Sequence, residues 1–243
     1  MDRRVLALAL VVAVAGCGSL AGQSDSRETL TPAPVPSVTE GDVPLPPGVG
    51  PDGSIDAERL AAAHSEALVG RSYTRRITRR FADRERISTL RVENRTRYRY
   101  DHVRPGTGEN ATEFSDGADR YTRYKRFSPQ YNREAATPVR DRHGELARRA
   151  IRDYLDLETA AVSTAVVDGE RRYVVRGETD DYRGDEAANF SVRAVVGPVG
   201  LVYSLDVSYA ERRGGEAVAV SYRHRYELEP VTVSRPGWVE RNW

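Results

Sequence analysis

The sequence predicts an α+β fold in which a curled antiparallel sheet, an incomplete barrel, carries an N-terminal helix and a mid-chain helix on one face. Apolar and polar residues alternate with a period of two over most of the chain beyond residue 71. Two other segments have the three- and four-residue spacing of amphipathic helices. Pairs of turn residues divide the alternating region into short runs: Asp116-Gly117, Asp168-Gly169 and Gly214-Gly215. We expect about eight to ten strands from this spacing.

A short apolar run at the start of the chain predicts an export signal. Arg3 and Arg4 precede this run, which extends from Val5 to Ala15 and is shorter than the ~20 residues needed to span a bilayer. The motif "VAGC" ends at Cys17, the only cysteine, and resembles the lipobox of secreted lipoproteins. That resemblance implies a signal peptide over residues 1–16 and a lipid on the sulfur of Cys17. A buried free cysteine is the alternative.

Residues 17–54 are predicted to form a disordered tether. Ser, Thr, Pro and Gly dominate this segment, so it cannot bury enough surface to offset its ordering entropy. Packing of the short stretch Val43 to Leu45 on the folded region is the alternative. Residues 55–243 are long enough for a single domain with its own core. The predicted location is the outer face of the cytoplasmic membrane, to which the lipid on Cys17 anchors an exported protein.

The folded region is predicted to begin with a helix. Asp56 is a suitable N-cap, and Gly70 lies where a left-handed C-cap belongs. His64 is expected at the edge of the apolar stripe. The stripe itself is predicted to contain Leu60, Ala63, Ala67 and Leu68.

The strands that follow are predicted to have one covered face and one solvated face. In "RVENRTRYRYD" a single strand is expected, with arginines on one face and tyrosines on the other. Pro198 and Gly200 indicate a type I turn. The last strand is expected to bury one face, which contains Val218, Val220, Tyr222, His224, Tyr226 and Leu228.

A second helix is predicted within "GELARRAIRDYLDLE", between two groups of strands. Glu145 precedes Arg149 by four residues, a favourable ion-pair spacing on a helix. The predicted apolar side contains Leu146, Ala150, Ile151 and Tyr154.

The order of these features resembles that of a known carrier fold and of a family of lipoproteins. A lipobox, a tether and a helix precede a meander of strands, and "GLVYSLDVSY" and "VSRPGWV" follow the second helix. The pattern is similar to the LolA/LolB and LppX/LprG-like carrier fold and, over nearly the full length, to an uncharacterised family of haloarchaeal surface lipoproteins. The resemblance implies a cavity for acyl chains between sheet and helices. It implies a non-catalytic archaeal lipoprotein that binds a lipid or other amphiphile.

Tyrosine is the most abundant aromatic residue, with 13 Tyr against 4 Phe and 2 Trp. Tyrosines in a cavity would favour an amphipathic ligand over a pure hydrocarbon. Ordinary core packing is the alternative, because tyrosine has a high β-propensity. The candidate ligand-lining residues are Tyr98, Tyr100, Tyr203, Tyr209, Tyr222 and Tyr226.

The charge balance argues against nucleic acid as a partner. Removal of residues 1–16 leaves a net charge of zero, whereas nucleic-acid-binding proteins usually carry a basic excess. Arginines are nevertheless dense between Arg71 and Arg104. The alternative function is therefore a structural or interaction protein of the cell envelope that acts through an Arg-rich outer surface. Its partners would be anionic lipid headgroups or acidic surface glycans.

The sequence contains no motif that indicates catalysis or metal binding. The four histidines are scattered and form no H-E-x-x-H pair, and no G-x-S-x-G elbow occurs. We therefore expect no enzymatic activity, no cofactor and no metal. Three N-x-[ST] sequons are candidate glycosylation sites that agree with an exterior location: Asn94, Asn110 and Asn189.

Overall fold

A single antiparallel sheet forms the framework of the protein. The structure, a computed structural model, describes residues 44–158, 160–180, 182 and 187–243. Within these residues eleven strands pair in one sheet, and its two end strands do not pair with each other. The predicted α+β class with a curled, unclosed sheet is confirmed. The predicted signal peptide, Cys17 and the tether up to residue 43 lie outside the described residues.

The strands follow one another with short connections, apart from one long crossover. Their bounds are β1 Tyr73–Phe81, β2 Arg84–Val92, β3 Arg97–Val103, β4 Asn110–Asp116, β5 Asp119–Lys125, β6 Pro129–Ala135, β7 Ala161–Val167, β8 Glu170–Thr179, β9 Ala187–Val196, β10 Val202–Arg213 and β11 Glu216–Glu227. The helices are α1 Ala57–Ala67, α2 Glu145–Leu155 and α3 Gly237–Glu240, and a π-helical turn, Arg140–Gly144, precedes α2. None of the described helices is long and apolar enough to cross a membrane.

The sheet consists of two meanders joined at its centre. The spatial order is β6-β5-β4-β3-β2-β1-β11-β10-β9-β8-β7, so the first and last strands of the chain are neighbours in the middle. Strands β6 and β7, which are consecutive in sequence, lie at opposite edges of the sheet. The π-helical turn and α2 connect these edges. This connection places α2 beside α1, against the face of the sheet that carries the main core.

The prediction of eight to ten strands falls short of the eleven in the structure for two reasons. Strand β6 is exposed at every position, so it has no alternation to detect. The segment "RVENRTRYRYD" was predicted as one strand, and this prediction is wrong because a turn divides it into β2 and β3. The side chain of Asn94 stabilises this turn, since its Oδ1 accepts hydrogen bonds from the backbone N–H groups of Thr96 and Arg97 (3.1 and 2.9 Å).

Helix α1 has the predicted ends but buries a different face. Asp56 caps it by accepting a hydrogen bond from the Arg59 N–H (2.9 Å), and Gly70 adopts a φ of +72°. The predicted stripe is correct at Leu60 and at Leu68, which packs against buried residues of the sheet, but wrong at Ala63 and Ala67, which are only partly buried. The side chains on the buried face are instead Ala57, Leu60, Ala61, His64 and Ser65. A polar ring belongs to this face because a backbone group of the sheet hydrogen-bonds to it, which apolar periodicity alone does not reveal.

Helix α2 is also rotated slightly from the predicted phase. Leu146 is about half exposed, so its predicted place in the core is wrong. Glu145 forms ion pairs with Arg148 and Arg152 rather than with Arg149. The buried side of the helix is formed by Ala147, Ala150, Ile151, Tyr154 and Leu155.

The folded unit extends further towards the N-terminus than predicted. Residues 44–54 were assigned to the tether, but Val49 is buried in the main core and pairs with Ile55 in a β-bridge. The hydroxyl of Tyr173 donates a hydrogen bond to the Pro44 carbonyl (3.2 Å). The predicted boundary at residue 54 is therefore wrong, because these local hydrogen bonds and Val49 hold the segment against the domain.

The C-terminal segment covers part of the other face of the sheet. Phe114 and Tyr121 point away from the helices and pack against this segment, where "RPGW" forms the start of α3. This second small core consists of Phe114, Tyr121, Val233, Trp238 and Val239. The sheet is therefore covered on both faces in the region of β4 and β5.

We expect Gly200→Ala to destabilise the fold more than Gly215→Ala. Gly200 ends the predicted type I turn with a φ of +85°, and a Cβ there would lie 2.6 Å from the Cβ of Ala63 on α1. Gly215 has a similar φ of +89° but open space around it. The free energy of unfolding should fall by about 2–4 kcal/mol for Gly200→Ala and by about 1–2 kcal/mol for Gly215→Ala. Urea unfolding measures both, and equal losses would contradict the close approach of α1.

Candidate ligand-binding cavity

A cavity of about 530 Å³ lies between the helices and the centre of the sheet. Its floor is formed by β1, the end of β2 and β11, and its walls by the C-terminal half of α1, the π-helical turn and the start of α2. This volume falls within the roughly 300–1,000 Å³ of pockets that bind small organic ligands.

The lining of the cavity is apolar along its walls and charged at its mouth. The apolar lining side chains are Leu68, Val69, Val92, Pro138, Val139 and Ala147. Arg71, Arg95, Arg140 and Asp141 are exposed lining residues and therefore mark the mouth. Arg140 is paired with Glu66 on α1 (2.6 Å). The mouth is electropositive, because three arginines and a single aspartate line it.

Arg75 is a buried cation on the floor of this cavity. The alternation of β1 places Tyr73, Arg75 and Ile77 on the same buried face, and Arg75 is only 2% exposed. Its Nη1 donates a hydrogen bond to the backbone carbonyl of His143 in the π-helical turn (2.8 Å). Its Nη2 has no hydrogen-bond partner, and no carboxylate forms an ion pair with Arg75, among the described residues.

A hydrogen-bond chain leads from the sheet to the cavity through His64 and Tyr226. The Val202 N–H donates to Nδ1 of His64 (3.1 Å), so the proton of the neutral ring is on Nε2. The Nε2–H then donates to the hydroxyl oxygen of Tyr226 (3.3 Å). Burial lowers the pKa of His64 to about 3, and the charge of Arg75 adds to this effect. Burial likewise raises the pKa of Tyr226, whereas the charge of Arg75 and a hydrogen bond with the Arg75 side chain oppose this shift.

Two other histidines surround the cation. His224 is completely buried beside the rings of His64 and Tyr226, and burial followed by the charge of Arg75 lowers its pKa well below the usual value. Burial also lowers the pKa of His143, although its hydrogen bond to Glu113 opposes this. All three rings are therefore neutral near pH 7, and Arg75 carries the only charge at the floor of the cavity among the described lining residues.

A buried carboxylate, Glu113, fixes the π-helical turn next to the cavity. It accepts hydrogen bonds from the Tyr98 hydroxyl (3.0 Å) and from Nε2 of His143 (3.1 Å). It also forms ion pairs with Arg120 and Arg142. Burial favours its neutral form, but the hydrogen bonds from His143 and Tyr98 and the charge of Arg142 lower its pKa to about 2. Glu113 is thus an anion with its own partners, which leaves Arg75 uncompensated.

The structure places the six candidate tyrosines in different surroundings. Tyr226 lines the cavity, whereas Tyr98 and Tyr100 contact the far side of the His143 ring. Tyr222 and Tyr209 pack in the main core, and the guanidinium of Arg172 lies over the ring of Tyr203 at 3.9 Å. The cavity brings together Tyr226 and Tyr73, and Tyr73 was not among the candidates.

Arg75, His64 and His143 were not among the predicted site residues. The signal for Arg75 was available in "YTRRITRRF", where alternation puts Arg75 on the same face as Tyr73 and Ile77. His224 was correctly placed on the buried face of the last strand. His143 carried no such signal, because its burial depends on the crossover between the two edges of the sheet.

The opposite face of the sheet carries an open trough of about 920 Å³. Six arginines and three acidic residues line it, which gives it a basic excess. Several of these charges are already paired: Arg80 contacts Glu85 (2.7 Å), and Arg223 and Arg225 contact Asp206 (3.0 and 2.7 Å). Of the arginines between Arg71 and Arg104 on which the expected Arg-rich surface was based, Arg76 and Arg80 line this trough.

The three predicted glycosylation sequons lie in different surroundings. Asn94 and Asn189 are exposed, the latter with a φ of +55°, whereas Asn110 is half-buried in β4. Within residues 44–243, apart from the undescribed positions, no group of three or more His, Cys, Asp or Glu residues could hold a metal ion.

Comparison with known proteins gives distant structural likenesses. No protein-family model and no curated protein matches the chain. It is similar to a solved DUF1329 family protein from Desulfovibrio piger, at 10% identity and a TM-score of 0.24, over 70% of this chain and 90% of that one. It is also similar to a LolA superfamily protein from Nitrosomonas europaea, at 8% identity and a TM-score of 0.25, over 76% and 97% of the two chains. Backbones with these TM-scores do not superpose as whole folds.

We expect acid to destabilise the protein through its buried histidines. The pKa of His64 is about 3 in the fold against 6.5 in the unfolded chain, so protonation favours the unfolded state as the pH falls below 6.5. At pH 5 a histidine held neutral lowers the free energy of unfolding by about 2 kcal/mol. The pKa of Glu113 is lowered from 4.5, so its stabilisation is lost only below that pH and does not enter this window.

Urea unfolding at pH 7 and pH 5 measures this effect. His64→Gln should reduce the stability difference between the two pH values by about 2 kcal/mol, because the titrating ring is removed. His102→Gln is the control: burial also lowers the pKa of His102, but its ring is only partly buried, so this variant should reduce the difference less. An unchanged difference in His64→Gln would contradict a neutral His64 in the fold.

Proposed function

We propose that this protein is a membrane-anchored extracytoplasmic lipoprotein that binds a lipid or other amphiphile in the cavity between sheet and helices. The observation that carries the proposal is the cavity of about 530 Å³, which has apolar walls and polar groups at its floor and mouth. A solid core would have favoured a purely structural role.

The arrangement of the lining suits an amphiphile rather than a pure hydrocarbon. Leu68, Val92 and Val139 offer apolar surface, and burial of a tail against them is favourable by about 25 cal/mol per Å² before ordering costs. Arg75 and Tyr226 offer hydrogen-bond donors in the same space. A ligand with an apolar part and a polar part satisfies both regions.

The open trough supports the alternative function, an envelope protein that acts through its Arg-rich surface. It has the larger volume and the greater number of arginines. Its charges are partly neutralised by Glu85 and Asp206, however, and exposed ion pairs contribute little binding energy. The enclosed cavity is therefore the better candidate, and the absence of any bound amphiphile would favour the trough.

We expect the full chain with Cys17→Ser, handled without detergent, to bind the neutral probe N-phenyl-1-naphthylamine with saturation. Leu68→Trp should weaken binding about tenfold or more, because the indole fills the volume that a ligand needs. Val199→Trp is the matched control, since Val199 is exposed and lies outside the cavity. Probe fluorescence gives both affinities, and circular dichroism verifies folding.

Equal binding by Leu68→Trp and Val199→Trp would contradict the cavity as the site. Native mass spectrometry of protein extracted from its own host provides a second readout. A stoichiometric lipid is expected. A clean mass without lipid, together with no probe binding, would instead favour the surface role.

We expect Cys17→Ser to release the protein from membranes. The lipobox "VAGC" motivates this prediction, because a lipid on the only sulfur is the proposed anchor. Fractionation of cells and medium measures the distribution of the variant. Ala15→Ser, next to the motif's Gly16, is a control that leaves the sulfur in place. Membrane retention of Cys17→Ser equal to that of the unaltered protein would overturn the anchoring proposal.

A further inference from the structure

We propose that the ligand is an anionic amphiphile whose carboxylate binds Arg75 and Tyr226 at the floor of the cavity, while its tail lies against the apolar walls. This inference rests on the proposed function, because it names the headgroup chemistry of the same cavity. The juxtaposition that carries it is a buried, uncompensated guanidinium beside a hydroxyl whose own proton is free to be donated.

The guanidinium of Arg75 interacts with the His143 carbonyl and the Tyr226 hydroxyl but, among the described residues, has no carboxylate partner. Removal of a cation from water is costly unless charges or hydrogen bonds replace the lost hydration. The His143 carbonyl satisfies Nη1, but Nη2 is buried without a hydrogen-bond partner among the described residues. The nearby carboxylate, Glu113, is committed to Arg120, Arg142, Tyr98 and His143. An anion in the cavity would supply a hydrogen-bond acceptor for Nη2 and the negative charge that Arg75 lacks.

Tyr226 is oriented as a donor by its neighbours. The Val202 N–H fixes the tautomer of His64, and the His64 Nε2–H occupies one lone pair of the Tyr226 oxygen. The positive charge of Arg75 faces the same oxygen. Among the described residues no carbonyl or carboxylate accepts the Tyr226 O–H. This proton is therefore available to a ligand oxygen beside the Arg75 side chain.

The groups that face Arg75 from the other elements are consistent with a single negative charge. They are His64 from α1, His143 from the π-helical turn, Tyr73 on β1, and Tyr222, His224 and Tyr226 from β11. All six are neutral near pH 7, because burial disfavours their charged forms. The Arg75 guanidinium and the Tyr226 hydroxyl each offer a hydrogen-bond donor. Together they match the two oxygens of a monoanionic carboxylate.

The mouth of the cavity favours the approach of an anion. Arg71 and Arg95 are exposed lining residues and have no ion pair among the described side chains, whereas Arg140 is paired with Glu66. An electropositive mouth concentrates anionic ligands before they bind. The charged headgroup would then pass to Arg75, and Leu68, Val69 and Val139 would contact the tail.

Decanoate and 1-decanol are the probes that test this inference, because they share a tail and differ in the headgroup. Displacement of N-phenyl-1-naphthylamine from the full chain with Cys17→Ser, at pH 7, gives the affinity of each. We expect decanoate to bind about tenfold or more tightly than decanol. Arg75→Gln should remove this preference while it changes decanol binding by less than about threefold. Tyr226→Phe should weaken decanoate about fivefold.

Two matched variants control for the loss of a buried arginine and of a buried hydroxyl. Arg172→Gln removes another buried guanidinium, one that pairs with Glu170 away from the cavity. Tyr209→Phe removes the hydroxyl of another buried tyrosine, one that packs in the main core and does not line the cavity. Both should keep the preference for decanoate. Tyr226→Phe also keeps the inference testable if Arg75→Gln does not fold.

The possible outcomes separate this inference from the proposed function. Equal affinity for decanoate and decanol, with probe binding intact, would overturn the headgroup inference and leave amphiphile binding in place. Failure of the probe and of both amphiphiles to bind would overturn the proposed function itself. Acetate is a third competitor, which has the carboxylate but no tail. Displacement of decanoate by acetate at similar concentrations would indicate a small-anion site and would overturn the role of the tail.

Discussion

The burial of one cation governs the structure around the cavity. Arg75 lies on the covered face of a central strand, where a guanidinium is stable only if hydrogen bonds replace its hydration. The π-helical turn supplies one of these bonds through the His143 carbonyl, and β11 brings Tyr226 alongside. The central strand, the π-helical turn and β11 therefore meet around Arg75. The space that remains between them is the cavity.

The charges near this point are divided between two separate groups. Glu113 holds Arg120 and Arg142 and receives hydrogen bonds from Tyr98 and His143. This group holds the π-helical turn in place without neutralising Arg75. The neutral histidines then provide polar surroundings that add no further charge. A π-helical turn in this position agrees with the frequent occurrence of such turns at functional sites.

The topology explains how the two faces of the sheet acquire different characters. Because β6 and β7 lie at opposite edges, the chain must cross the sheet between them, and α2 covers one face as it does so. Helix α1 packs beside it, and the gap at their ends opens into the cavity. The other face is covered by the C-terminal segment near β4 and β5 and carries the polar trough elsewhere.

Local patterns in the sequence determined the class of the fold and most of its turns. Caps and turn residues such as Asp56, Gly70 and Gly200 act on neighbouring backbone, so their effect can be read without the rest of the chain. Alternation placed His224 and Tyr226 on a buried face for the same reason. The tertiary structure alone decided that His64 and Arg75, which are far apart in sequence, line one cavity, and that the His143 carbonyl binds Arg75 beside it. Their burial depends on the crossover and on hydrogen bonds between distant elements. Neither of these produces a hydrophobic periodicity that the sequence alone would show.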